Sequence, residues 1–157
     1  MINAAIIGSG IGLKHFEAIN GYRNSKIKII CEKNSKKVKE LKSRYKNIKV
    51  ISNENEIFRS KEINLVSIAS YDDDHFYQIK KCIENNKHII VEKPMCLNLK
   101  QLNQIKMLLK KKPKIKIISN LVLRANSLFV ALKKKANIDD IFYIEADYIW
   151  GRRQKLF

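Results

Sequence analysis

The chain has 157 residues, 45% of them hydrophobic, enough for one ordinary domain with a real core, or one domain and the beginning of another. No apolar run approaches the ~18–20 residues of a membrane span, and residues 1–8 carry neither a basic region nor a small-residue cleavage site, so a soluble, cytoplasmic protein with no membrane partner is expected. The net charge of +17 invites a polyanion, but 26 lysines stand against 6 arginines, a composition of AT-rich coding rather than of phosphate recognition, where arginine is enriched, and no nucleic-acid partner is expected.

Residues 3–8 form a short apolar run closed by glycine, and residues 12–20 place Leu13, Phe16 and Ile19 at helical spacing before Gly21. This reads as strand, tight turn and helix. Residues 27–31 ("IKIIC") alternate as a second strand, followed by Asn34 or Ser35 as the cap of a helix with Val38, Leu41 and Tyr45 on one face. Residues 48–51 predict a third strand and 53–60 a short helix. The run "INLVSIA" at 63–69 is apolar and β-branched, the pattern of a strand covered on both faces. Asp72, Asp73 and Asp74 then open a helix with Phe76, Ile79, Cys82 and Ile83 inward, ended by Asn85 and Asn86. Residues 88–91 give a fifth strand, Asn98 caps a helix with Leu102, Ile105, Leu108 and Leu109 inward, and 115–119 give one more strand. Such alternation predicts an α/β fold with a doubly wound parallel sheet over residues 1–120.

Beyond Asn120 the rhythm changes. Residues 127–136 predict a helix, and "IFYIEADYIW" at 141–150 puts Phe142, Ile144, Ala146, Tyr148 and Trp150 at alternate positions, a strand with one apolar face. A lone strand is unstable without a partner, so residues 121–157 read as the first helix and strand of a truncated α+β substrate domain.

Three features carry chemistry. Gly8, Ser9, Gly10, Ile11 and Gly12 lie between the first strand and helix, where glycines let a backbone approach a pyrophosphate and the helix N-terminus offers free N–H groups. Glu32 ends the second strand, where a carboxylate can accept both hydrogen bonds from an adenosine ribose and repel a 2′-phosphate; Lys33 beside it weakens that preference for NAD over NADP. Glu92-Lys93-Pro94 follows the fifth strand, at the sheet edge where open α/β folds bind ligands. A lysine held near a carboxylate and partly desolvated can assist proton loss from a substrate hydroxyl; the plain alternative is an exposed ion pair. Cys31, Cys82 and Cys96 have no metal-type spacing and read as packing residues, so no metal site is expected.

Together "AAIIGSGIGLKH", "ICEKN", "VSIASYDDDH", "KHIIVEKPMCLN" and "YIEADYIWGR" resemble the N-terminal part of the glucose-fructose oxidoreductase, inositol dehydrogenase and rhizopine-catabolism family (Gfo/Idh/MocA). The resemblance implies a Rossmann-type NAD(P)-binding domain followed by an open sheet domain, and an NAD(P)-dependent oxidoreductase acting on a sugar or nucleotide sugar, homo-oligomeric when full length. It implies that Gly8, Gly10, Ile11 and Gly12 line the pyrophosphate, that Glu32 holds the adenosine ribose, and that Ser70, Tyr71 and Asp72 flank the nicotinamide ribose. Glu92 would lie near the nicotinamide and Lys93 would be the catalytic lysine, with the Lys93–Pro94 bond cis. Ser9, Lys33 and His75 complete the candidate cofactor site; His15 and His75 read chiefly as packing or loop bracing. Arg124, Tyr148, Arg152 and Arg153 fall where the family meets its sugar, and further catalytic residues would lie beyond Phe157. The rival readings are a non-catalytic dinucleotide-binding module or gene remnant and, behind it, a basic nucleic-acid-binding domain.

Overall fold

A computed structural model describes residues 1–147 and Ile149. The chain divides into two compact units, the first spanning Met1–Leu121 and the second beginning at Val122.

The first unit is a single six-stranded, wholly parallel sheet with helices between its strands. In chain order these are β1 (Ile2–Ile7), α1 (Gly12–Asn20), β2 (Ser25–Cys31), α2 (Ser35–Arg44), β3 (Lys49–Ile51), α3 (Asn55–Arg59), β4 (Leu65–Ile68), α4 (His75–Glu84), β5 (His88–Val91), α5 (Leu99–Lys111) and β6 (Ile117–Ser119). The strand order is β3-β2-β1-β4-β5-β6. The chain therefore builds outward from β1 to β3, returns to the other side of β1 and builds outward again, which opens a crevice at the carboxyl ends of β1 and β4.

Because successive side chains of a strand point to opposite faces, a strand covered on both sides must be largely apolar. β1 meets this demand: Ala5 and Ile7 join one buried cluster with Val66, Ile68, Ile79 and Ile89, while Ala4 and Ile6 join a second with Ile19, Ile27, Ile30 and Leu41. The doubly wound Rossmann arrangement expected from the sequence is the fold of this unit.

Helix starts follow the caps where a side chain is free to serve. Asn34 accepts from the Lys36 and Lys37 N–H groups and Asn98 from that of Gln101. Glu54, before α3, and Asp74, before α4, make no such bond. The helix expected from Asp72 begins at His75, a turn closed by the Asp74 N–H to the Tyr71 carbonyl precedes it, and Asp74, whose backbone is already helical, makes no cap bond and pairs with Lys33.

In the second unit a 3₁₀ turn (Val122–Ala125) precedes α6 (Ser127–Lys135), which Asn126 caps through the Leu128 N–H. The strand expected at 141–150 is corrected for the described part: residues 141–147 form no strand. Alternating side chains supply a face, but the backbone N–H and C=O groups still need a neighbouring strand to bond to. Among the described residues no helix is long and apolar enough to cross a membrane.

Candidate active site

The crevice is set by a backbone contact. The chain leaves β1 at Gly8 with φ +91°, and a Cβ there would lie 2.3 Å from the Ala69 carbonyl oxygen at the end of β4. Only glycine fits. Gly10, by contrast, faces open space. Around this turn Gly8, Ser9, Gly10, Glu32, Lys33, Ser70 and Tyr71 line one cleft of about 200 Å³. Ile11 is half-exposed as the cap of α1, Gly12 is its buried first residue, and Asp72 lines an adjoining hollow.

Glu32 is the organising charge of this cleft. Its carboxylate accepts from the Ser9 N–H at 3.1 Å and the Ser9 hydroxyl, and from the Asn34 N–H at 2.9 Å, so it ties the glycine turn to the start of α2. Burial pushes the Glu32 carboxyl up, but these bonds outweigh it and hold the group below its ordinary value. Lys33 does not compete for it. Its ammonium lies 2.8 Å from Asp74, and this hydrogen bond raises its pKa. On the β4 side, Ser70 donates to the fully buried Gln78 at 2.7 Å, and Gln78 donates to Glu54 at 2.8 Å. Cys31, on the floor, is a neutral thiol, pushed up to about 12 chiefly by burial.

Two strands further along the edge lies the Glu-Lys-Pro stretch. The Glu92 N–H continues the ladder to the Ile68 carbonyl, and its carboxylate is turned inward, with only 13% of the side chain exposed. Glu92 Oε1 lies 2.8 Å from His15 Nε2 and 2.6 Å from the Asn120 amide nitrogen, while Oε2 accepts from the Lys93 N–H at 3.4 Å. His15 Nδ1 lies 2.6 Å from the fully buried Ser67 hydroxyl. A carboxylate only accepts, so Nε2 is assigned the ring proton and Ser67 donates to Nδ1. Burial pushes Glu92 up, yet the bonds from Asn120 and His15 outweigh it and keep its pKa below the ordinary value.

The Lys93–Pro94 peptide bond is cis. His75, fully buried, lies with Nδ1 2.8 Å from the Pro94 carbonyl oxygen. The two histidines therefore brace the stretch from beneath, His15 through Glu92 and His75 through Pro94, and His75 lies outside the lining of the cleft. Lys93 is exposed rather than partly desolvated.

The Gfo/Idh/MocA family model, described as an oxidoreductase family with an NAD-binding Rossmann fold, matches residues 2–120. The chain belongs to this family. It is 30% identical over 111 residues to the uncharacterized oxidoreductase YdgJ of Escherichia coli (strain K12), covering 69% of this chain and 31% of that protein. Its fold is similar to scyllo-inositol dehydrogenase from Lactobacillus casei solved with NAD(H) and scyllo-inositol (TM-score 0.78, 19% identity, 85% of this chain and 40% of that one). It is equally similar to biliverdin reductase from Synechocystis sp. PCC 6803 solved with biliverdin and NADP+ (TM-score 0.77, 17% identity, 85% and 42%). The chain spans less than half the length of each of these relatives.

As a member of the Gfo/Idh/MocA family the chain has an NAD-binding Rossmann fold, and its residues fit a dinucleotide: a glycine turn with open space at Gly10, and a carboxylate at the end of β2. Sequence reasoning missed Asn120, Ser67, Gln78 and Asp74. Only Asn120 had a signal, as the first residue beyond the last strand on the same sheet edge as Lys93. Of the residues assigned to substrate, Arg124 lies in the 3₁₀ turn of the second unit, and Tyr148 and Arg152 lie outside the described residues.

Proposed function

We propose that this chain is the NAD-binding part of an oxidoreductase that oxidises a hydroxyl of a sugar, polyol or nucleotide sugar, with Lys93 acting on the reacting hydroxyl. The observation that carries the reading is the single line of chemistry along one sheet edge: Glu32 after β2, the glycine turn after β1, Ser70 after β4 and Lys93 after β5. From β2 to β5 is three strand spacings, about 14 Å, a span suited to an extended dinucleotide. Glu32 would hold the adenosine ribose, and its negative charge favours NAD over NADP, the more so because Lys33 is engaged by Asp74.

Bound in this cleft, the cofactor would supply the two-electron hydride acceptor or donor. The chain's own part is geometric and protic. Gly8 and Gly10 admit the pyrophosphate to the start of α1, and His15, His75 and the Glu92 carboxylate fix the backbone from which Lys93 projects. Lys93 would bond to the substrate hydroxyl and assist loss of its proton. In a longer protein carrying this sequence, Lys93→Ala is expected to lower turnover with a sugar or polyol by about 10²–10⁴-fold while leaving NADH affinity unchanged. Equal turnover in the variant removes Lys93 from the chemistry.

A further inference from the structure

Glu54, Gln78 and Ser70 form a chain of side-chain hydrogen bonds that ends on the cleft. Glu54 precedes α3, Gln78 lies in the first turn of α4 and is fully buried, and Ser70 follows β4 and lines both the cleft and the hollow beside it. The direction of the chain is fixed by its far end. The Glu54 carboxylate only accepts, so the Gln78 amide is assigned with its nitrogen toward Glu54, at 2.8 Å, and its oxygen toward Ser70, at 2.7 Å. Ser70 then donates its single hydrogen inward. What it offers the cleft is lone pairs alone.

A freely turning hydroxyl pairs with a donor or with an acceptor, whereas this one pairs only with a donor. Pyrophosphate oxygens are acceptors at neutral pH, so they find no partner at Ser70 and fall to the N–H groups at the start of α1. Ribose hydroxyls donate. Ser70 follows β4 and Glu32 follows β2, on opposite sides of the turn after β1 and two strand spacings, about 10 Å, apart. We propose that Glu54 and Gln78 are positioning residues that lock the Ser70 hydroxyl as a hydrogen-bond acceptor for the second ribose of the dinucleotide, the one across the pyrophosphate from the adenosine. The inference rests on the dinucleotide reading above and adds the hydrogen-bonding polarity that the cleft presents beyond the pyrophosphate.

The test is calorimetric titration of the 157-residue chain with ADP-ribose and with ADP, which share the adenosine and the pyrophosphate and differ in the second ribose. The unmodified protein is compared with Ser70→Ala, Gln78→Met and the double variant. The ratio Kd(ADP-ribose)/Kd(ADP) is expected to rise about threefold to tenfold in Ser70→Ala, the effect of one neutral hydrogen bond. It should rise by less in Gln78→Met, where the hydroxyl survives but turns freely. Once Ser70 is alanine, Gln78→Met should change the ratio no further, because its effect passes through that hydroxyl. A purely structural network weakens both ligands alike, so an unchanged ratio in Ser70→Ala overturns the proposal, as does a Gln78→Met effect that persists in the double variant. Should Gln78→Met fail to fold, Glu54→Gln, which keeps the shape but lets either end of the Gln78 amide face Ser70, takes its place in the same comparison. If the unmodified chain binds neither ligand, the dinucleotide reading itself fails and this one with it.

Discussion

His15, in the first turn of α1, has its Nε2 2.8 Å from Glu92 Oε1, joining residues 77 apart in sequence. The glycine turn and the Glu-Lys-Pro stretch, two separate motifs in the sequence, are thus one hydrogen-bonded unit. His15→Ala removes one donor from an enclosed carboxylate and leaves the buried Ser67 hydroxyl without its acceptor. The expected cost is about 1–3 kcal/mol of stability, read by urea denaturation, with partial recovery in His15→Gln. No change in midpoint would show that the link contributes nothing.

Acid sensitivity follows from the two organising carboxylates. Glu32 and Glu92 both titrate below the ordinary value of 4.5 in the folded chain. Between the folded and unfolded values the unfolded chain therefore binds more protons, so stability rises with pH there. Their contribution is complete above 4.5 and is lost as pH falls through the folded values. Thermal melts from neutral pH downward should show an acid-side decline that is shallower in Glu32→Gln and in Glu92→Gln. Parallel acid limbs in all three proteins would contradict the assignment.

Cofactor choice gives a separate test. Glu32→Ser removes the charge that would face a 2′-phosphate while Lys37 stays on the lining of the same cleft. NADPH affinity is expected to rise and NADH affinity to fall, each by about tenfold, the effect of roughly 1.4 kcal/mol. Fluorescence titration with both nucleotides measures it, and an unchanged ratio would take Glu32 out of ribose recognition.

Much of the fold was legible because a parallel sheet imposes strong local demands. Strands buried on both faces must be largely apolar, as "INLVSIA" is apart from Asn64 and Ser67, and helices starting at a sheet edge need caps, as Asn34 and Asn98 provide. What could not be read was which polar side chains would be spoken for by others. Asp74 read as one of three acids opening a helix and is the partner of Lys33; Glu92 looked like the neighbour of Lys93 and is held by His15 and Asn120. These pairings are set by strand order, which periodicity does not encode. The alternation at 141–147 misled for a related reason: a face pattern says where side chains point and nothing about whether a second strand is present to accept the backbone bonds.

The most direct measurement is an NADH fluorescence titration of the chain beside Gly10→Asp. Gly10 faces open space, so an aspartate there fits sterically but places a carboxylate where the pyrophosphate would lie. The cleft account predicts saturable enhancement in the unmodified protein, its loss in Gly10→Asp, and the same melting temperature in both. Enhancement that survives Gly10→Asp, or none in either protein, would contradict the claim that this turn is the dinucleotide site.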